Sequence, residues 1–122
     1  MKKIMIIDDD NKNIFALSAT LKAKGYTTVA ATNAAEGIQQ LKEKKEIGIV
    51  LIDIMMPEMD GYEALRIIRN EEQIKELPVI AVTAQAMNGD REKCLAAGAD
   101  YYIPKPIDVD QLLIILGKYV KN

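Results

Sequence analysis

Three stretches of this chain, Ile4-Met5-Ile6-Ile7, Ile49-Val50-Leu51-Ile52 and Val79-Ile80-Ala81-Val82, are apolar at every position. A strand with one face in water alternates apolar and polar residues, so continuous runs of this length are expected of parallel strands covered on both sides. The segments between them carry apolar residues at helical spacing: Ile14, Leu17 and Leu21, then Ala35, Ile38 and Leu41, then Leu65 and Ile68. Thr27 to Ala31 and Tyr101 to Pro104 supply two weaker strands. A fourth helical stretch surrounds Cys94 and Leu95, and Val109 to Val120 forms a closing helix with Leu112, Leu113 and Leu116. Gly25 and Gly98 follow the first and fourth helical stretches, where a left-handed residue commonly ends a helix. Strand is followed by helix five times over. That order implies right-handed crossovers and an α/β fold, a doubly wound five-stranded parallel sheet with helices on both faces.

At 122 residues the chain is expected to be a single domain, 1–122, burying about two-thirds of the surface its unfolded form exposes. No linker or low-complexity segment interrupts it. With 18 acidic against 16 basic residues there is no broad basic field, so direct binding to nucleic acid or to a membrane surface is not expected. Only four apolar residues separate Met1-Lys2-Lys3 from Asp8, too few for a signal peptide or a membrane span. The lone Cys94 cannot form an internal disulfide, which fits a reducing compartment. The expected location is therefore cytoplasmic, and Cys94 itself is expected to be a buried, inert thiol. The absence of histidine removes histidine acid–base catalysis, histidine-ligated metals and any role as a phosphohistidine donor.

In an open parallel sheet, ligands bind beyond the carboxyl ends of the strands. Asp8 and Asp9, Asp53, Thr83 and Lys105 all fall at such ends. Asp53 is the most telling, because an acid closing a buried strand is costly to keep charged unless a cation or hydrogen bonds compensate it. Two carboxylates about 4 Å apart repel by about 4 kcal/mol at an effective dielectric near about 20. Lys105 brings one positive charge, and a divalent ion would bring the rest. An all-oxygen donor set suits Mg²⁺, with Mn²⁺ as the alternative. Magnesium held by few carboxylates keeps positions for phosphate oxygens, which points to phosphoryl transfer. Asp53 would be the nucleophile, Asp8 and Asp9 the metal holders, and Lys105 with the Thr83 hydroxyl the stabilisers of the phosphoryl oxygens. Each residue also has a plainer reading. The acidic run could cap a helix, a role assigned here to Asp10 or Asn11. Lys105 could be a solvated lysine, although Pro104 and Pro106 stiffen its surroundings, and Thr83 could be an ordinary strand residue. Their coincidence at strand ends favours the functional reading.

The stretches Ile6-Ile7-Asp8-Asp9, Asp53-Ile54-Met55-Met56-Pro57-Glu58-Met59-Asp60-Gly61, Val82-Thr83-Ala84 and Lys105-Pro106 together resemble the receiver domain of two-component response regulators. The likeness covers essentially the whole chain, and the DxxMPxMDG string is its most specific part. It implies a flavodoxin-like strand order 2-1-3-4-5 and a phosphoacceptor role for Asp53. It also implies Mg²⁺ held by Asp9, Asp53 and the backbone carbonyl of Met55, with Asp8 acting through water. By the same resemblance, Lys105 would pair with the phosphoryl group and Thr83 would donate its hydroxyl to a phosphoryl oxygen. Tyr102 would match the aromatic position that turns inward when Thr83 moves. Tyr101 and Tyr102 face opposite sides of a strand, so only one can be that switch; the plainer alternative makes both packing residues. A cis Lys105-Pro106 bond is also implied.

The implied phosphodonor is a histidine kinase or a histidine phosphotransfer protein. The implied output is a downstream protein target reading the face made by the fourth helix, fifth strand and fifth helix, biased by phosphorylation as a two-state equilibrium. A signalling receiver of this kind catalyses only its own phosphorylation and dephosphorylation. Asn13-Ile14-Phe15-Ala16-Leu17 and residues 86–94 are most similar to receivers fused to hybrid histidine kinases. Met55 and Gln85 occupy places associated in the family with dephosphorylation rate, and none of the five site residues departs from the family pattern. Two rival readings explain less. A phosphatase of the haloacid dehalogenase type would use Asp8-x-Asp10 but leaves Asp53 and its string idle. A flavin binder would want Gly, Ser or Thr, not Asp, in the turn after the first strand.

Overall fold

In the computed structural model, which describes residues 2–57, 59–84 and 89–120, strands and helices alternate throughout. The strands are Lys3–Ile7 (β1), Thr28–Ala31 (β2), Ile47–Asp53 (β3), Val79–Thr83 (β4) and Tyr101–Pro104 (β5). The helices are Asn11–Ala23 (α1), Ala34–Glu43 (α2), Gly61–Asn70 (α3), Asp90–Ala97 (α4) and Val109–Tyr119 (α5). All neighbouring strands pair in parallel, in the order β2-β1-β3-β4-β5. The wholly apolar runs are β1, β3 and β4, the three central strands, as two-sided burial requires. Glu58 of the acidic string, Gln85 and residues 86–88 lie outside the described residues.

Alternation along each strand divides the core into two layers. Met5, Ile7, Val50, Ile52, Val79 and Ala81 pack with Ile38 and Leu41 of α2, Leu65 and Ile68 of α3 and Cys94 of α4. Ile4, Ile6, Ile49, Leu51, Ile80 and Val82 pack with Leu21 of α1 and Leu112, Ile115 and Leu116 of α5. The fold is therefore doubly wound, with α1 and α5 on one face and α2, α3 and α4 on the other. Two helical stripes differ from the expected ones. In α2 it is Ala34, not Ala35, that is buried with Ile38 and Leu41, because positions four and seven residues on from Ala34 share its face. In α1 only Leu21 is buried, while Ile14 and Leu17 are half-buried and pack against the same core layer.

Local chemistry starts and stops these helices. Asp10, Asn33, Asp60 and Asp108 each accept backbone N–H groups of the following first turn, satisfying donors that a helix start leaves unpaired. The capping role considered for Asp10 or Asn11 thus belongs to Asp10. Gly25 and Gly98 have φ of 92° and 122°, a region costly for any residue with a Cβ. Arg69 of α3 staples the far end of the sheet. Its guanidinium donates to the carbonyls of Gly98 (2.8 Å), Lys75 (2.9 Å) and Leu77 (2.6 Å) and to the Asp100 carboxylate (2.8 Å).

Candidate functional site

Strand register assembles the site. Ile7 of β1 pairs with Ile52 of β3, which puts Asp8 level with Asp53. Asp53 pairs with Val82 and Thr83 with Pro104, so Thr83 and then Lys105 follow one step further along. Asp8, Asp53 and Lys105 sit at positions of the same parity as Ile6, Leu51 and Ile103, on the α1/α5 face. Thr83 shares the opposite face with Tyr102, whose strand partner is Ala81.

The carboxylates are held by backbone and by lysine. Asp8 and Asp53 are each 7% exposed and Thr83 is fully buried, whereas Asp9 is exposed. Asp8 Oδ1 accepts the Asp10 N–H at 2.9 Å, and Asp53 Oδ1 accepts the Met55 N–H at 3.0 Å, which lays the Met55 backbone against the carboxylate. Lys105 Nζ lies between the two acids, 3.3 Å from Asp53 Oδ2 and 3.6 Å from Asp8 Oδ2. The Lys105 backbone N–H donates to the Thr83 carbonyl at 2.8 Å, and the peptide bond to Pro106 is cis. Burial pushes the Asp8 carboxyl above its ordinary range; Asp53 and Asp9 add to that rise, and the Asp10 N–H and Lys105 oppose it.

Asp8, Asp9 and Asp53 each offer a carboxylate oxygen, and these oxygens lie within 4.8 Å of one another. So many like charges converging on one lysine make a site that a small hard cation would relieve. The donors are all oxygen, so they fit Mg²⁺ or Mn²⁺ and not a soft metal. The loop that follows Asp53 is closed by Gly61, whose N–H donates to the Ile54 carbonyl at 3.0 Å. A Cβ at Gly61 would come within 2.6 Å of Ile54 Cα and 3.1 Å of the Asp53 carbonyl, so only glycine lets α3 begin this close to the phosphoacceptor candidate.

The structure brings Asp8, Asp9, Asp53 and Lys105 close to one another, and it adds neighbours that sequence reasoning missed. A cavity of about 530 Å³ opens beside Asp8, Asp53 and Lys105, walled by Asn13, Ala16, Leu17 and Thr20 of α1 and by Pro106 and Ile107. On the opposite face, Tyr62 and Tyr102 both donate to Asp90, at 2.5 and 3.1 Å. Nothing in the spacing of these three residues announces that they meet. Cys94 is fully buried, as expected, and burial pushes its thiol up.

The sequence model of the response regulator receiver domain matches residues 4–116. This chain belongs to that family. Its relatives include the polar-differentiation response regulator DivK of Brucella anthropi, 33% identical over 119 residues that span 98% of this chain and 96% of that protein. A response regulator receiver protein from Pseudomonas putida superimposes with a TM-score of 0.89 at 28% identity, covering 96% of each chain. The receiver domain of a sensor histidine kinase from Pseudomonas aeruginosa, solved with a magnesium ion coordinated in its active-site cleft, gives 0.86 at 32% identity, covering 97% of this chain and 96% of that one. Receiver domains are signalling modules of two-component systems, and the strand order 2-1-3-4-5 is theirs. Among the described residues no helix is long and apolar enough to cross a membrane.

Proposed function

We propose that this receiver, acting as a single unit over residues 1–122, takes a phosphoryl group onto Asp53 from a histidine kinase or histidine phosphotransfer protein and relays it as a change of surface. The observation that carries this reading is the placement of Lys105 Nζ between Asp53 and Asp8, with three carboxylates converging at the carboxyl ends of β1 and β3. A purely structural site would not gather that much like charge beside an open cavity.

The Asp53 carboxylate attacks phosphorus, forming a P–O bond as the P–N bond to a donor imidazole, or the P–O bond to an acyl donor, breaks. The Met55 N–H on Oδ1 and the Lys105 ammonium near Oδ2 fix the orientation of the attacking group. Lys105 is placed to follow the charge onto the phosphoryl oxygens, and the Thr83 hydroxyl comes from the next strand to accept the same role. Asp8, Asp9 and Asp53, with the Met55 carbonyl, would hold Mg²⁺, which when bound supplies positive charge to the phosphoryl oxygens. The consequence passes through Thr83 and Tyr102 to the face of α4, β5 and α5, where a downstream protein binds. The setting is the cytoplasm, where the lone thiol stays reduced.

Incubation with acetyl phosphate and Mg²⁺, followed by intact mass, tests the reading. Wild-type protein and Asp8→Asn should gain one phosphoryl group, the latter more slowly, and Asp53→Asn none. Uptake by Asp53→Asn together with loss in Asp8→Asn would favour the phosphatase-like chemistry instead.

A further inference from the structure

The first turn of α4 holds Tyr62 in three ways. Asp90 accepts its hydroxyl at 2.5 Å, Lys93 Nζ lies 4.4 Å from its ring centroid, and the Cys94 thiol points to its hydroxyl at 4.0 Å. Tyr62 is the second residue of α3, directly after the loop that leaves Asp53. The other Asp90 oxygen takes the hydroxyl of Tyr102, three residues before Lys105, at 3.1 Å. One carboxylate therefore ties the start of α3 beyond the Asp53 loop, the start of α4 and the strand that leads into Lys105.

We propose that Asp90 is a positioning residue of the switch: its carboxylate, shared by Tyr62 and Tyr102, holds the Tyr102 ring at α4 in the unphosphorylated chain. This inference rests on the receiver reading above. Hydrogen bonds to a carboxylate are stronger than neutral ones, and shorter ones stronger still. The Tyr62 bond is the shorter, so the Tyr102 bond is the one that yields. Tyr102 can then leave while Asp90, still on Tyr62, keeps α4 docked. Its path is set by the face it shares with Thr83, across its strand partner Ala81, a residue with little side chain to obstruct a ring. Burial and the Asp90 carboxylate both keep the Tyr62 and Tyr102 phenols protonated, so both remain donors over the neutral range.

Fluorotyrosine NMR on the full chain tests the latch, with the Tyr102 resonance assigned by its loss in Tyr102→Phe. In unphosphorylated Asp90→Asn and Asp90→Ala, the Tyr102 signal should leave its wild-type position, in the direction phosphorylation moves it in the wild-type chain. Phosphorylation of both variants by acetyl phosphate should quicken by about tenfold, the equivalent of one lost hydrogen bond. Tyr62→Phe should move the signal the same way by a smaller step. A Tyr102 signal that stays in place in both Asp90 variants, with a rate within about twofold of wild type, overturns the proposal, whatever happens to the melting temperature. Wild-type protein that takes up no phosphoryl group would refute the reading of Asp53 instead, and the resonance shift in the Asp90 variants would still decide the latch.

Discussion

Asp53→Asn should make the protein more stable in the presence of a chelator. Asp53 faces two carboxylates within 4.8 Å and one lysine at 3.3 Å. At an effective dielectric of about 20, each repulsion is worth at least about 3.5 kcal/mol and the attraction about 5 kcal/mol. Asp9 is exposed, and solvent screens its share to about half. The Coulomb contributions then nearly cancel, and desolvation decides, since a buried carboxylate costs more than a buried amide. Asn keeps the Oδ1 acceptor for the Met55 N–H, and Lys105 keeps Asp8. The expected gain is about 1–2 kcal/mol, or about 5 °C in Tm for a domain of this size, read by circular dichroism melts in chelator. Excess Mg²⁺ should narrow or reverse the difference, because an ion at about one hundred times its Kd adds about 2.7 kcal/mol to the form that binds it better. An Asn variant that melts below wild type in chelator would show that the Lys105 ion pair outweighs both repulsion and burial, and would refute the reasoning.

Arg69→Ala should cost about 3 kcal/mol in urea unfolding, since it strips partners from three carbonyls and from Asp100; a loss under about 1 kcal/mol would mean water replaces the staple. Gly61→Ala should lower stability and slow phosphorylation together, because its Cβ meets the Ile54 backbone at 2.6 Å; a variant as stable and as fast as wild type would contradict the close approach. Tyrosinate absorbance should show Tyr62, Tyr102 and Tyr119 ionising above the ordinary value of 10.0, with Tyr119 pushed up to about 12 by its hydrogen bond with Tyr101. The folded state holds these protons longer than the unfolded one, so their contribution to stability is full below pH 10.0 and is lost as pH rises through the folded values. Stability that is flat across that alkaline range would sink the assignment.

Much of the fold is legible because runs such as Ile49 to Ile52 have one physical solution, burial on both sides of a parallel strand. Strand order is not in those runs; it entered with the family resemblance, and the register agrees. Asp8, Asp53 and Lys105 could be found because acids and a lysine at strand ends have few bland explanations when they coincide. The cavity could not, since its walls come from α1 and from Pro106 and Ile107, which no spacing in the sequence brings together. Ala34 and Ala35 are chemically the same, and only the phase of the helix chooses between them. Asp90 looks like any acid at a helix start until Tyr62 and Tyr102, 28 and 12 residues away, arrive on its two oxygens.

The central claim is that Asp53 accepts the phosphoryl group. Borohydride reduces an aspartyl phosphate to homoserine, so phosphorylated protein treated with borohydride and mapped by peptide mass spectrometry reports the acceptor directly. Homoserine is expected at position 53 and nowhere else. Homoserine at position 8 or 9, or none anywhere after incubation with acetyl phosphate and Mg²⁺, would contradict it.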